Sequence, residues 1–125
     1  MSKEESVHVF LHLLYEYKKG LRDLALYTFS DSLEKFIRMK LDKQEIPYIM
    51  QPLENGKRNV FFGAAACIGV VASFGNKRLN AYSPEEDFIL GIMLGYNRTE
   101  QCKRYLNVKK TNPPALYVFD KGSLN

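Results

Sequence analysis

His8, His12 and Glu16 follow one another at four-residue spacing. On a helix that spacing lines two imidazoles and a carboxylate along one face at ligand distance. The set is incomplete as a metal site. A zinc or iron centre needs a third or fourth ligand with ordered partners behind it, and the chain has neither an HExxH run nor a facial triad. These three residues are weak metal candidates that would have to borrow ligands from elsewhere or from a second chain; otherwise they cover a helix near an interface. Cys67 sits in an apolar run, where a thiol is ordinarily an inert core group. Cys102, followed by Lys103 and Arg104, is better placed for a lowered pKa. No GxSxG, Walker loop or GxGxxG fingerprint occurs, so no catalytic residue is assigned, no cofactor is expected and an enzyme has no positive support.

The basic residues carry more information. Residues 55–84 contain Lys57, Arg58, Lys77 and Arg78 and no carboxylate, whereas residues 1–54 hold 8 basic and 9 acidic side chains. Glu85, Glu86 and Asp87 then make an acidic stretch, and residues 97–125 return an excess of cations, for a total of +4. Two basic regions around an acidic helix start suit an acidic partner, although surface charge also serves solubility alone. Tyr and Phe number eight each, yet no RNP motif, zinc finger or basic helix accompanies them, so nucleic acid is not indicated.

These residues need a scaffold, and 125 residues at 46% hydrophobic and 26% charged suffice for one core and too few for separate cofactor and substrate domains. We expect a single α/β domain over residues 1–110 and a C-terminal tail over 111–125, docked or partly mobile, because Asn112, Pro113 and Pro114 block regular structure there. Met1–Ser6 lacks the pattern of a secretory or transit signal. The run from Val60 to Phe74, broken by Gly63 and Gly69, is too short to span a bilayer. The two cysteines show no CxxC spacing. Together these features predict a cytoplasmic protein with reduced thiols and no membrane contact.

Along the chain, Val7, Phe10, Leu11, Leu14 and Tyr15 recur at helical spacing over Ser6–Lys18 with Gly20 as the stop, although the same stretch also alternates as a strand would. Leu24–Phe29 reads as a strand. Asp31 with Glu34 resembles a capping box for a helix carrying Leu33, Phe36, Ile37 and Leu41, ended by Pro47. Tyr48–Leu53 and Asn59–Gly63 form a hairpin through Asn55-Gly56. Ala64–Phe74 is a small-residue packing helix. Ser83, Pro84 and Glu86 supply cap, first-turn proline and box carboxylate for a helix to about Gly95. A last helix covers Thr99–Leu106, and Leu116–Phe119 is a short strand or a docked tail.

Tyr15-Glu16-Tyr17-Lys18-Lys19-Gly20-Leu21-Arg22, the hairpin from Ile46-Pro47-Tyr48 through Asn59-Val60-Phe61-Phe62-Gly63, and Leu94-Gly95-Tyr96 before Gln101-Cys102-Lys103-Arg104-Tyr105 carry a resemblance over nearly the whole chain. The chain resembles a family of small bacterial proteins known only as a domain of unknown function, number two thousand and twenty-three in that series. The resemblance implies a compact fold of three strands and about five helices, a homodimer without established activity, and a link to flavodoxin. The family has no assigned catalytic motif, so no functional residue is carried across.

The expected architecture is a two-layer α/β domain with a small three-stranded mixed sheet packed with about five helices. The first strand, the helix from Asp31 and the second strand form a right-handed parallel crossover, and the third strand is antiparallel by the hairpin. Connectivity then brings Lys57, Arg58, Lys77 and Arg78 to the hairpin end of the sheet with Ser30 and Ser32, a candidate site for an anion or an acidic partner. Surplus apolar surface around Phe61, Ile68, Val71, Gly91 and Gly95 is the expected dimer interface; GxxxG at the last two also serves packing within one chain. The functional expectation is a non-enzymatic homodimeric binding or accessory module for an acidic protein partner, with flavodoxin as the candidate. A small-anion or nucleotide-binding sensor is the alternative, and a metal- or thiol-dependent enzyme the third reading.

Overall fold

The computed structural model describes residues 2–110; the expected tail, with its strand at Leu116–Phe119, lies outside the described residues. Helix α1, Lys3–Lys18, is capped by the Ser2 hydroxyl, which accepts from the Glu5 N–H, and Glu4 and Glu5 sit favourably at its positive end. Phe10 and Leu14 are buried at four-residue spacing, so helical periodicity prevails over the strand-like alternation. Gly20, at φ 76°, releases the chain into β1, Leu24–Ser30.

A single 3-10 turn, Asp31–Leu33, follows before α2, Glu34–Lys43. The capping box expected from Asp31 and Glu34 does not form. No side chain caps this entry, because the Glu34 carboxylate is drawn to Arg38 and Arg58 instead. The helix also stops before Pro47 acts on it: Glu45 takes φ 55°. Strands β2, Tyr48–Pro52, and β3, Lys57–Gly63, are joined through Asn55 and Gly56, both at positive φ (57° and 68°). Helix α3 is Ala65–Ser73. After a 3-10 turn at Leu79–Ala81 come α4, Pro84–Met93, with the full Ser83/Glu86 capping box, and α5, Arg98–Val108.

The sheet order is β1-β3-β2, with β3 antiparallel to both neighbours. The mixed sheet expected from the sequence is therefore corrected to a fully antiparallel one. Strands β1 and β2 do run in the same direction, as the crossover required, but β3 has entered the space between them. The reason is written in β3. Val60, Phe61 and Phe62 are 0%, 1% and 0% exposed in succession, and only a central strand covered on both faces can bury consecutive side chains pointing opposite ways.

Helices accordingly cover both faces, which makes three layers where two were expected. On one face Phe10 and Leu14 of α1 and Ile37 and Leu41 of α2 meet Ala25, Tyr27, Phe29, Val60 and Phe62. On the other, Val71 of α3 and Leu90 of α4, with Leu94 just beyond it, meet Leu24 and Phe61. The buried Tyr27 ring keeps its polar tip satisfied by donating to the Ser6 carbonyl at 2.7 Å, which also pins the start of α1 to the sheet.

One glycine is fixed by the sheet itself. Gly63 ends β3 at φ 150°, and a Cβ there would overlap the Asp23 carbonyl, whose oxygen accepts from the Ala64 N–H at 2.9 Å. Gly63→Ala should lose roughly 3 kcal/mol by urea unfolding. Gly20→Ala, at φ 76° with nothing within 4 Å, should lose only about 1 kcal/mol. Equal losses would show that close approach to Asp23 is not what selects glycine at position 63.

Candidate binding surface at the hairpin end of the sheet

The antiparallel ladders bring Ser30, Lys57 and Arg58 to one end of the sheet, and contacts from neighbouring segments bring Ser32, Lys77 and Arg78 there. Ser30 is the register partner of Lys57, and Arg58 that of Pro52. The Asp31 N–H donates to the Gly56 carbonyl at 2.8 Å, tying the start of the 3-10 turn to the hairpin. Buried Gln51 donates through Nε2 to the Lys77 carbonyl at 2.7 Å, and Arg78 Nη1 lies 2.8 Å from Glu54 Oε1 in the hairpin. The chain after α3 thus returns to this end, as the connectivity predicted. The Ser30 and Ser32 hydroxyls sit 3.3 Å apart.

The charge there is balanced rather than basic. Arg58 Nε and Arg38 Nε each lie 2.9 Å from a different oxygen of Glu34, and Lys77 Nζ lies 2.6 Å from Glu86 Oε1. Three of the four cations therefore hold a carboxylate, and Asp31 stands beside Gly56, where a Cβ would come within 3.4 Å of its Oδ2. Lys57 is exposed and, among the described residues, has no carboxylate within ion-pair distance. The carboxylates came from segments read as separate: Glu34 from α2, Glu54 from the hairpin, Glu86 from α4. Glu86 is shared between its capping box and Lys77, and the second bond has no signature in sequence spacing.

These contacts move the carboxyl groups in one direction. Hydrogen bonds from Arg38 and then Arg58 hold Glu34 below its ordinary pKa. The Lys77 ammonium, followed by the Ser83 N–H, does the same for Glu86. On the α4–α5 pair, Glu85 is lowered by the Tyr105 hydroxyl and then Lys109.

The other candidates are dispersed. His12 Nε2 lies 3.3 Å from Glu16 Oε1, but Arg22 Nη2 is at 3.3 Å from the same oxygen. Among the described residues no group of three His, Cys, Asp or Glu is placed to hold a metal ion. Burial, then the nearby Asp23 charge, pushes the Cys67 thiol up, away from the thiolate form; Cys102 is exposed. Of the expected interface residues, Phe61 and Val71 are 1% and 3% exposed within the chain's own core, which Ile68 joins from its margin. Gly91 is buried against Gln101, whose side chain occupies the space a Cβ would need. Gly95 ends α4 at φ 81°. The GxxxG pair thus serves α4–α5 packing and a helix stop.

A protein-family comparison matches residues 8–108 to a family described as a protein of unknown function, DUF2023. The chain belongs to that family. The match takes in every strand, and α2 through α5 entirely, so the DUF2023 region and the described fold are nearly coextensive. No curated protein matches the chain. Among the described residues of this DUF2023 protein, no helix is long and apolar enough to cross a membrane.

The Glu34 bridge has a definite pH signature. Its folded pKa is depressed, so the stability it contributes is present above the unfolded carboxyl pKa and is lost as pH falls through the lower folded value. Wild type should exceed Glu34→Gln in urea midpoint at neutral pH, and the gap should close in acid, below the ordinary glutamate range. A gap that persists unchanged in acid would mean that the two arginines do not act through the ionised carboxylate.

Proposed function

We propose that this DUF2023 protein is a non-enzymatic, homodimeric binding module for an acidic protein partner, flavodoxin being the candidate suggested by the sequence resemblance. The observation that carries the reading is the outer face of α3. All nine residues of that helix are uncharged. Val71 turns inward, while Ala65, Ala66, Gly69, Val70, Ala72 and Ser73 are exposed together, and a Cβ on Gly69 would meet nothing within 4 Å. A helix apolar all round is normally buried. A flat, small-residue face of this kind suits close approach of another protein surface.

Charge supports an acidic partner in a particular way. Four residues beyond α3 the chain reaches Lys77 and then Arg78 at the hairpin end, beside Lys57 and Arg58. Their ion pairs leave the side chains of Lys77 and Arg78 34% and 51% exposed. Such pairs hold cations in fixed positions and contribute little themselves, so an incoming carboxylate can exchange with the resident one at small cost. A phosphate sensor would be served poorly by the same arrangement, since Glu34, Glu54 and Glu86 cancel the field a free dianion needs.

The experiment is capture of purified flavodoxin by wild type and by Val70→Glu. Wild type should retain flavodoxin in low salt and release it as salt rises. Val70→Glu should abolish capture with little change in melting temperature, because Val70 is already 37% exposed. Failure of wild type to capture flavodoxin removes that partner, and undiminished capture by the variant removes the α3 face.

A further inference from the structure

We infer that β1 is the dimer interface: its open edge pairs, antiparallel and about a two-fold axis, with β1 of a second copy to form a continuous six-stranded sheet. This rests on the homodimer reading above and names its surface. Two backbone hydrogen bonds fix which residues face β3. Ala64 N–H donates to the Asp23 carbonyl and Asp31 N–H to the Gly56 carbonyl, both on the β1–β3 register. In an antiparallel ladder bonded positions alternate, so Ala25, Tyr27 and Phe29 bond to β3. Leu24, Leu26, Thr28 and Ser30 then direct their N–H and C=O groups away from β3, and among the described residues no other strand pairs with them. Leu24 is 0% exposed and already covered within the chain, so the accessible edge is Leu26, Thr28 and Ser30.

The two edges of the sheet are protected unequally. On β2 the outward positions by the same alternation are Tyr48, Met50 and Pro52, and the proline removes a donor and ends a five-residue strand. Strand β1 is seven residues, Leu-Ala-Leu-Tyr-Thr-Phe-Ser, with no proline, glycine or charge. Natural edges carry such residues to prevent unwanted pairing. Their absence leaves an edge built to be covered.

What covers it follows from the surface alongside. Two paired seven-residue edges cover less than the roughly 800 Å² per partner of a stable interface, so flanking apolar surface must make up the difference. An open cleft of about 370 Å³ lies against this strand, lined by Leu26, Leu79, Leu90, Leu94, Tyr96 and Gln101. Tyr96 is 54% exposed, and Leu21, just before β1, is 68% exposed. A two-fold axis at Thr28 bonds Leu26 to Ser30 of the second copy, Thr28 to Thr28 and Ser30 to Leu26. It keeps the pairing on the accessible, uncharged stretch of β1, with the Leu26-lined cleft of each copy beside the joined strands. A second copy therefore supplies the backbone complement of an uncharged edge with that same edge, which makes it self-complementary as a two-fold interface requires.

The test is sedimentation velocity on the full chain over a concentration series, comparing wild type, Thr28→Lys, Ser30→Lys, Thr28→Val and Val70→Glu. Lysine at either position places a charge on the edge. Valine removes the same Thr28 hydroxyl bond to Asn59 but keeps the edge apolar. Wild type and Thr28→Val should dimerise alike, and Thr28→Lys should weaken the dimer by roughly 30-fold or more. Ser30→Lys, whose exposed native side chain has its hydrogen bond with Ser32, should weaken it in the same direction and stands in should Thr28→Lys fail to fold. A wild type that stays monomeric at high micromolar concentration overturns both this interface and the homodimer. If both lysine variants dimerise like wild type, this proposal fails and the homodimer stands; loss of the dimer in Val70→Glu then places the interface on α3.

Discussion

Everything else in the fold depends on the burial of β3 between two strands that run the other way. Three consecutive side chains, Val60, Phe61 and Phe62, are withdrawn from water on alternate faces, and at about 2 to 3 kcal/mol for each large side chain this is a strong local drive. To satisfy it the chain must supply a strand on either side and a helix layer above and below. The order β1-β3-β2 and the split placement of α1 and α2 against α3 and α4 are the arrangement that does so. The Phe10 and Phe62 rings, 5.6 Å apart edge to face, tie the first helix directly to that central strand.

The same topology sets the electrostatics. Because β1 and β2 end together where the hairpin turns, segments far apart in sequence deliver their charges to one place: Glu34 and Arg38 from α2, Glu54, Lys57 and Arg58 from the hairpin, Lys77 and Arg78 from beyond α3, Glu86 from α4. Of the four cations in residues 55–84, Arg58, Lys77 and Arg78 each meet a carboxylate in space. The result is a fixed lattice of paired charges at the edge of an uncharged helix face. That combination suits recognition of a protein surface better than capture of a small anion.

Much of this was legible in the sequence where the signal is local. The Ser83-Pro84-Glu86 start of α4, the Asn55-Gly56 hairpin and the five helices are encoded in spacings of four residues or fewer, and the connectivity was enough to bring Lys77 to the hairpin end. Strand order was not legible by that route. A parallel crossover and a split one share the same element string, and the choice depends on which strand can bury both faces, a quantity visible only as the run Val60-Phe61-Phe62. The partners Glu34, Glu54 and Glu86 escaped because a bridge spanning 24 residues, as between Glu34 and Arg58, leaves no periodic trace. Phe61 and Val71 were expected at an interface because three short strands could not cover the apolar faces of five helices; both are buried within the chain's own core.

The central proposal is that placing β3 in the middle leaves the outer side of β1 unpaired among the described residues, and that a second copy pairs with it. Residue-resolved amide hydrogen exchange on β1, measured at low and high protein concentration, tests this most directly. The account predicts that Ala25, Tyr27 and Phe29 exchange slowly at both concentrations, whereas Leu26, Thr28 and Ser30 exchange fast when dilute and become protected when concentrated. Slow exchange of all six amides at every concentration would mean that the edge is already covered within one chain. Fast exchange of the outward three even when concentrated would mean that nothing pairs with it. Either result would contradict the account.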